Sequence, residues 1–220
     1  MTLSNHWNQR IYALWAPVYD LLIRFHPVTR LRARSMEAAD VSAASGVLLV
    51  GVGTGADLPH LAHLHLQSQA REVDIVGVDL SPAMLKRCRR TAKRLNLPLV
   101  TLCGDAAALP LSDNAFDVVV LTLIVSVVLE PQACVAEAMR VLRPNGKVVV
   151  VDKFLPCHQN VTVLRRLLNI VTRPFGTDIN RRWEDIAPAA TRTIIDQSSQ
   201  PVGSMRVIVL QKVQTPKDTH

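Results

Sequence analysis

The chain predicts an α/β fold, a doubly wound and mostly parallel sheet with helices on both faces. Three observations carry that expectation. An apolar run, Val47-Leu48-Leu49-Val50, enters the glycine-spaced turn Gly51-Val52-Gly53-Thr54-Gly55, as a strand does when it turns straight into a helix. A second apolar run, Asp74-Ile75-Val76-Gly77-Val78-Asp79-Leu80, follows after one helix and a loop and ends in a carboxylate. The valine-rich runs at 116–121 and 148–151 flank a helical segment, and strands that alternate with helices in this way pair in parallel.

Taken in order, residues 1–40 form an N-terminal extension in which Trp7, Tyr12, Trp15 and Tyr19 stand among Ile11, Leu14, Leu21, Leu22, Ile23 and Phe25. The arginines Arg10, Arg24, Arg30, Arg32 and Arg34 are interspersed with them or follow. Amphipathic aromatics beside arginines suit a helix lying at an anionic membrane surface, and equally a lid helix that packs its rings on the domain. The glycine turn then brings bare backbone and helix N-terminal N–H groups toward a ligand. Gly51-x-Gly53-x-x-Ala56 fits a dinucleotide fingerprint and Gly51-x-Gly53-x-Gly55 fits an S-adenosylmethionine turn, so the turn leaves both open. Asp79 is placed to accept hydrogen bonds from ribose hydroxyls, or to cap the helix starting near Pro82, a task Ser81 suits better. The 131–142 segment carries Ala133, Val135, Ala136, Met139 and Leu142 on one side of a helix, and Arg143-Pro144-Asn145-Gly146-Lys147 turns it into the last of these strands.

One block is not asked for by a dinucleotide enzyme: Leu102-Cys103-Gly104-Asp105-Ala106-Ala107-Ala108-Leu109-Pro110-Leu111, then Phe116-Asp117-Val118-Val119 and the Leu-Arg-Pro-x-Gly turn. With these the chain resembles the class I S-adenosylmethionine-dependent methyltransferases over residues 47–153. The resemblance implies a Rossmann-like, seven-stranded sheet and S-adenosylmethionine as cofactor, with S-adenosylhomocysteine as product. It implies a cofactor site of Gly51, Gly53, Gly55, Asp79, Leu80, Met84, Gly104, Asp105, Ala106 and Leu121. Asp105 would reach the adenine amino group, and Ser126, after the fourth strand, would orient the acceptor or merely cap a helix. One departure stands out. The family usually carries an acidic residue two positions before the first glycine, where it helps organise the methionine end of the cofactor, and this chain has Leu49.

Tyr12-x-x-Trp15-Ala16-Pro17-x-Tyr19-Asp20 further resembles the opening of bacterial phosphatidylethanolamine N-methyltransferases, and more distantly that of ubiquinone and menaquinone methyltransferases. That likeness implies Tyr19 closing over the cofactor and orienting the headgroup, and Tyr12 donating to a phosphate. Residues 154–186 form a second lid region, in which Arg181 and Arg182 suit a phosphate or pair with Glu184 and Asp185. A phospholipid amine is the expected acceptor, an isoprenoid quinone or other small apolar molecule the alternative, and a non-catalytic cofactor-binding membrane-surface protein a second one.

Composition bounds these expectations. With 220 residues and 49% hydrophobic content the chain suits one domain, residues 41–213, beyond the extension, with a polar tail at 214–220. Cys88, Cys103, Cys134 and Cys157 lack zinc or disulfide spacing and suit small buried hydrophobes in a reducing cytoplasm. His60, His63 and His65 share a helix without further ligands, so no metal is expected. The polar first ten residues lack a secretory apolar core. The 116–129 apolar run falls short of the roughly 20 residues a spanning helix needs, so the expected location is cytoplasmic, peripheral to the inner face of a membrane. The net charge of +7 includes a basic cluster, Lys86, Arg87, Arg89, Arg90, Lys93 and Arg94, expected on a solvated helix face, and no nucleic acid partner is expected.

Overall fold

A computed structural model describes residues 26–67, 73–155, 180–187, 191–199 and 205–213. Helix α1 (His26–Ala38) leads into β1 (Gly46–Val50), α2 (Leu58–Gln67), β2 (Asp74–Asp79), α3 (Pro82–Arg94), β3 (Val100–Cys103) and β4 (Phe116–Thr122). Then come α4 (Pro131–Val141), β5 (Leu142–Lys153), a short 3₁₀ turn (Trp183–Asp185), β6 (Thr191–Ser199) and β7 (Met205–Lys212). The seven strands form one sheet in the order β3-β2-β1-β4-β5-β7-β6, parallel throughout except at β7, which runs against both its neighbours. The chain order reverses between β1 and β4, and in such sheets the crevice beyond the strands' C-terminal ends at that reversal is where ligands bind.

Side chains on a strand alternate between faces, so each strand feeds two cores. Val47, Leu49, Val118 and Val120 join Met36 of α1, Leu58 and Leu61 of α2 and Leu85 and Cys88 of α3 on one face. Leu48, Val50, Val119 and Leu121 join Cys134, Val135 and Ala138 of α4, with Phe154 and Trp183, on the other. Burial on both faces explains why the central strands read as unbroken apolar runs. Helix α1, in the extension, is part of this core: Met36 and Ser35 are buried.

Three local expectations change. The buried stripe of α4 is Cys134, Val135, Ala138 and Val141, while Ala136 is exposed and Ala133 and Met139 are partly covered. The i, i+1, i+4, i+7 pattern is the helical period, and the expected face was rotated from it. The turn at 143–146 lies inside β5 as an irregularity: the pairing steps from Phe116↔Leu142 to Val118↔Lys147, with Asn145 at positive φ. Cys88 and Cys134 are buried, which pushes both thiols up to about 12, but Cys103 is exposed.

At the end of the sheet away from the crevice, Asp117 ties β4 to β1 by accepting from Ser45 N and Gly46 N at 2.8 and 2.9 Å and from Arg143 at 2.8 Å. Desolvation raises this carboxyl, but Arg143 and the two N–H groups outweigh it and hold it below its usual range. The basic residues of α3 are all exposed and Met84, Leu85, Cys88 and Ala92 face inward, a solvated face as expected.

Candidate active site

A cavity of about 260 Å³ opens at the strand reversal. Its floor is the β1–α2 turn. Gly51, Gly53 and Gly55 all have positive φ, but different neighbours demand them. A Cβ on Gly51 would come within 2.7 Å of Ile124, and one on Gly55 within 2.7 Å of Leu58 and 3.2 Å of Cys88. A Cβ on Gly53 would meet only the Gly51 carbonyl oxygen, at 3.9 Å, because this position faces the cavity. The turn is therefore packed on both sides and bare in the middle.

Asp79, at the end of β2, accepts from Gly53 N and Ser81 N, each at 2.8 Å, and forms part of the cavity wall. Both oxygens are aimed by backbone, and each keeps lone-pair capacity for a hydroxyl donor. Burial is the larger influence on this carboxyl and raises it above its usual range, against the two N–H groups. Ser81, not Asp79, caps α3, accepting from Met84 N at 3.4 Å with Pro82 next. Leu80 and Met84 also line the cavity, as do Gly104, Asp105 and Ala106 beside them, where Gly104 N donates to the Asp79 carbonyl at 3.2 Å; Asp105 is pinned by Ala107 N at 2.9 Å. These groups suit a nucleoside, with a carboxylate for ribose, a second acidic loop, and bare backbone between them.

Two expected residues lie elsewhere. Leu121 is fully buried in the α4-side core and Gly55 is covered by α2 and α3, so neither lines the cavity. Ser126 is also turned away. It is buried, its N–H and its hydroxyl bond the Asp152 carboxylate, and that carboxylate also takes Lys153 N at 2.7 Å. Asp152 is wholly buried, which raises its carboxyl above the usual range. Ser126 thus anchors the loop after β4 to the end of β5. Tyr12 and Tyr19 lie outside the described residues.

Another part of the wall is Thr122, whose buried hydroxyl has no hydrogen-bond partner among the described residues, together with the apolar face of Leu123, Ile124, Val127 and Val128. Arg181 holds it, donating to the carbonyls of Val125 and Val128, the latter at 2.6 Å, while its own carbonyl accepts from Leu155 N at 2.8 Å. The Phe154 and Trp183 rings pack tilted by 59° against each other, centres 5.5 Å apart. Glu184 is engaged by Arg206 at 2.6 Å. The short segment at 180–187 is thereby stitched to the loop after β4 and to β7.

Arg32 and Asp57 were not foreseen in the cavity wall, yet both stand there, Nε to Oδ1 3.3 Å apart and nearly buried. Asp57 precedes α2, where its position at a helix start was the available signal; nothing near Arg32 in sequence distinguishes it from the arginines around it. Among the described residues no group of three metal-ligating side chains converges, and no helix is long and apolar enough to cross a membrane.

Comparison with known proteins agrees with this geometry. A methyltransferase domain family matches residues 48–150. The chain is 40% identical over 199 residues to a phosphatidylethanolamine N-methyltransferase of Cereibacter sphaeroides, covering 89% of this chain and 92% of that one. It is 36% identical over 140 residues to a demethylmenaquinone methyltransferase of Thermus thermophilus, covering 62% and 61%. Among solved structures, the (4+2)-cyclase SpnF superposes with TM-score 0.74 at 16% identity over 94% of this chain and 97% of that one. A SAM-dependent methyltransferase from Aquifex aeolicus does so with TM-score 0.56 at 16% identity over 84% and 93%. At such identity the structures speak for the fold alone.

Proposed function

The chain belongs to the class I S-adenosylmethionine-dependent methyltransferases, and we propose that its acceptor is the amine of a phospholipid headgroup, concretely phosphatidylethanolamine. One observation carries this reading: the likeness to the phosphatidylethanolamine enzyme runs through nine-tenths of both chains, whereas the likeness to the quinone enzyme spans about three-fifths. Lid and acceptor elements lie outside the shared cofactor core, so likeness that extends into them bears on the acceptor.

When bound, the cofactor supplies an already activated methyl group, and what remains for the protein is binding, alignment and exclusion of water. In this reading Asp79 accepts from the ribose hydroxyls, Asp105 and the 104–106 backbone border the adenine, and Gly53 lets the turn approach closely. Leu123, Ile124, Val127 and Val128 keep the acceptor side dry. A neutral amine is itself the nucleophile and sheds its proton afterwards, so no strong base is required. Tyr19 closes over the headgroup, Tyr12 donates to its phosphate and Arg182 pairs with it. Arg181 acts differently from the expectation above, shaping the acceptor wall through two carbonyls. The aromatic extension brings this mouth to an anionic membrane surface.

Steady-state methyl transfer to phosphatidylethanolamine vesicles and to a demethylated quinone, run in parallel, tests the reading. Turnover on the lipid is expected, with Arg182→Ala raising the lipid KM about ten- to a hundredfold, the worth of one charge-assisted hydrogen bond, and leaving cofactor affinity unchanged. Turnover confined to the quinone would reject it.

A further inference from the structure

The departure at Leu49 poses a physical question. Leu49 is 2% exposed and packs with Met36 and Leu58 in the α1–α2 core, so this strand offers no carboxylate to the amino-acid end of the cofactor. Yet the same face of the sheet carries one nearby. Met36 lies one helical turn from Arg32 on α1, Leu58 directly follows Asp57, and Arg32 and Asp57 both reach the cavity wall.

Their pairing is incomplete. Side-chain exposure is 3% for Arg32 and 11% for Asp57, and the 3.3 Å approach of Nε to Oδ1 lacks hydrogen-bond geometry, so both atoms are buried without a hydrogen-bond partner. Those two atoms face each other and are closed off from the cavity, but both residues line its wall, so a ligand there meets the charges of the pair. His60 stands beside the pair; burial lowers its imidazole below the usual range, against the pull of Asp57, so at neutral pH it adds no second cation.

A wall with one guanidinium and one carboxylate side by side favours a ligand carrying both opposite charges. A phosphate or simple anion at Arg32 would be repelled by Asp57, and a simple cation at Asp57 by Arg32. An α-amino acid end satisfies both, its carboxylate facing the guanidinium and its ammonium the carboxylate. We infer that the Arg32–Asp57 pair is the zwitterion subsite of this methyltransferase, taking the methionine end of the cofactor and replacing the acidic group that Leu49 does not supply. Arg32 thus closes the cofactor site from outside the motif-bearing half of the chain, linking the N-terminal extension to cofactor occupancy. The inference rests on S-adenosylmethionine being the cofactor.

The test compares S-adenosylhomocysteine with 5′-deoxy-5′-methylthioadenosine, which keeps the nucleoside and the thioether but has no amino-acid end. Calorimetric titration of the full chain should show the first bound much more tightly. Arg32→Met and Asp57→Asn should each weaken S-adenosylhomocysteine about ten- to a hundredfold and leave methylthioadenosine unchanged. Because each single variant strands a buried charge, the double variant Arg32→Met/Asp57→Leu is measured as well. An apolar pair of similar size is tolerated where a buried ion pair stood, so this variant should melt near the wild type and bind the two ligands with similar affinity. A double variant that still prefers S-adenosylhomocysteine as the wild type does, or variants that lose both ligands alike, would overturn the subsite. Wild-type protein that binds neither would overturn the cofactor reading itself.

Discussion

In the cavity wall Asp79, the proposed ribose ligand, is held by two backbone N–H groups at 2.8 Å, from Gly53 and Ser81. Elsewhere in the same wall, Arg32 and Asp57 face each other at 3.3 Å without a hydrogen bond between them. Asp79 is aimed by residues within 26 positions of it, inside one strand–turn–helix–strand unit. Arg32 and Asp57 come from separate helical regions, brought together by packing on a common face of the sheet. The first region is preorganised, and ligand bonds add to satisfied groups. The second is an ion pair without a hydrogen bond between its nearest atoms, and a ligand there meets two opposite charges. Preorganisation favours tight recognition of the proposed nucleoside, and two opposite charges side by side favour discrimination for the proposed amino-acid end.

The sharpest way to break this contrast is Asp79→Ala. Loss of two charge-assisted contacts of about 1.5–3 kcal/mol each should take S-adenosylhomocysteine and methylthioadenosine together below calorimetric detection, unlike changes at Arg32, which should separate them. Retention of either ligand at wild-type affinity would place the ribose elsewhere.

The glycines give the next largest effect and divide the turn itself. Gly55→Ala meets Leu58 and Cys88 and keeps an unfavourable φ, so it should cost about 2–4 kcal/mol of stability, read as a lowered Tm. Gly53→Ala has room for its methyl group toward the cavity; it should cost only the roughly 1–2 kcal/mol of its backbone conformation while weakening the nucleoside markedly. Equal loss of Tm in both variants would mean that Gly53 is a packing glycine as well.

The smallest effect is on pH dependence. Burial raises the Asp79 carboxyl in the folded state, so between its unfolded value of about 3.9 and its folded one the native chain holds a proton that the unfolded chain has released. Stability from this group is therefore fully present below the unfolded value and is lost as pH rises through the folded one. Cofactor affinity runs the other way, because hydroxyl donors need the carboxylate: it should fall as pH drops through that same raised value. Titrations across mildly acidic pH should show proton release on binding that Asp79→Asn abolishes; release unchanged in that variant would assign the linkage to another group.

Much of this was legible because it is local. The strand entering Gly51-x-Gly53-x-Gly55, the carboxylate closing β2, the Ser81-Pro82 cap and the Gly104-Asp105-Ala106 block are each marked by residue types within one short run of sequence. Where a decision turned on rotation about an element, the reading slipped. The α4 stripe was displaced, Leu121 points into the core while the loop beyond it lines the cavity, and Ser126 turns to Asp152. Arg181 looked like a phosphate ligand by type and proved to be bound to backbone carbonyls of a loop more than fifty positions away.

By itself, then, the sequence determined the α/β architecture, the cofactor class and the glycine turn and carboxylate that line the cavity, since short-range patterning and the period of burial are written residue by residue. Only the tertiary structure decided that Arg32, one arginine among five in the extension, is buried against Asp57 and that Leu49 lies in the core beside their helices. The physical reason is that an ion pair formed across a fold depends on how helices pack on a sheet, and that packing is set by the whole core at once.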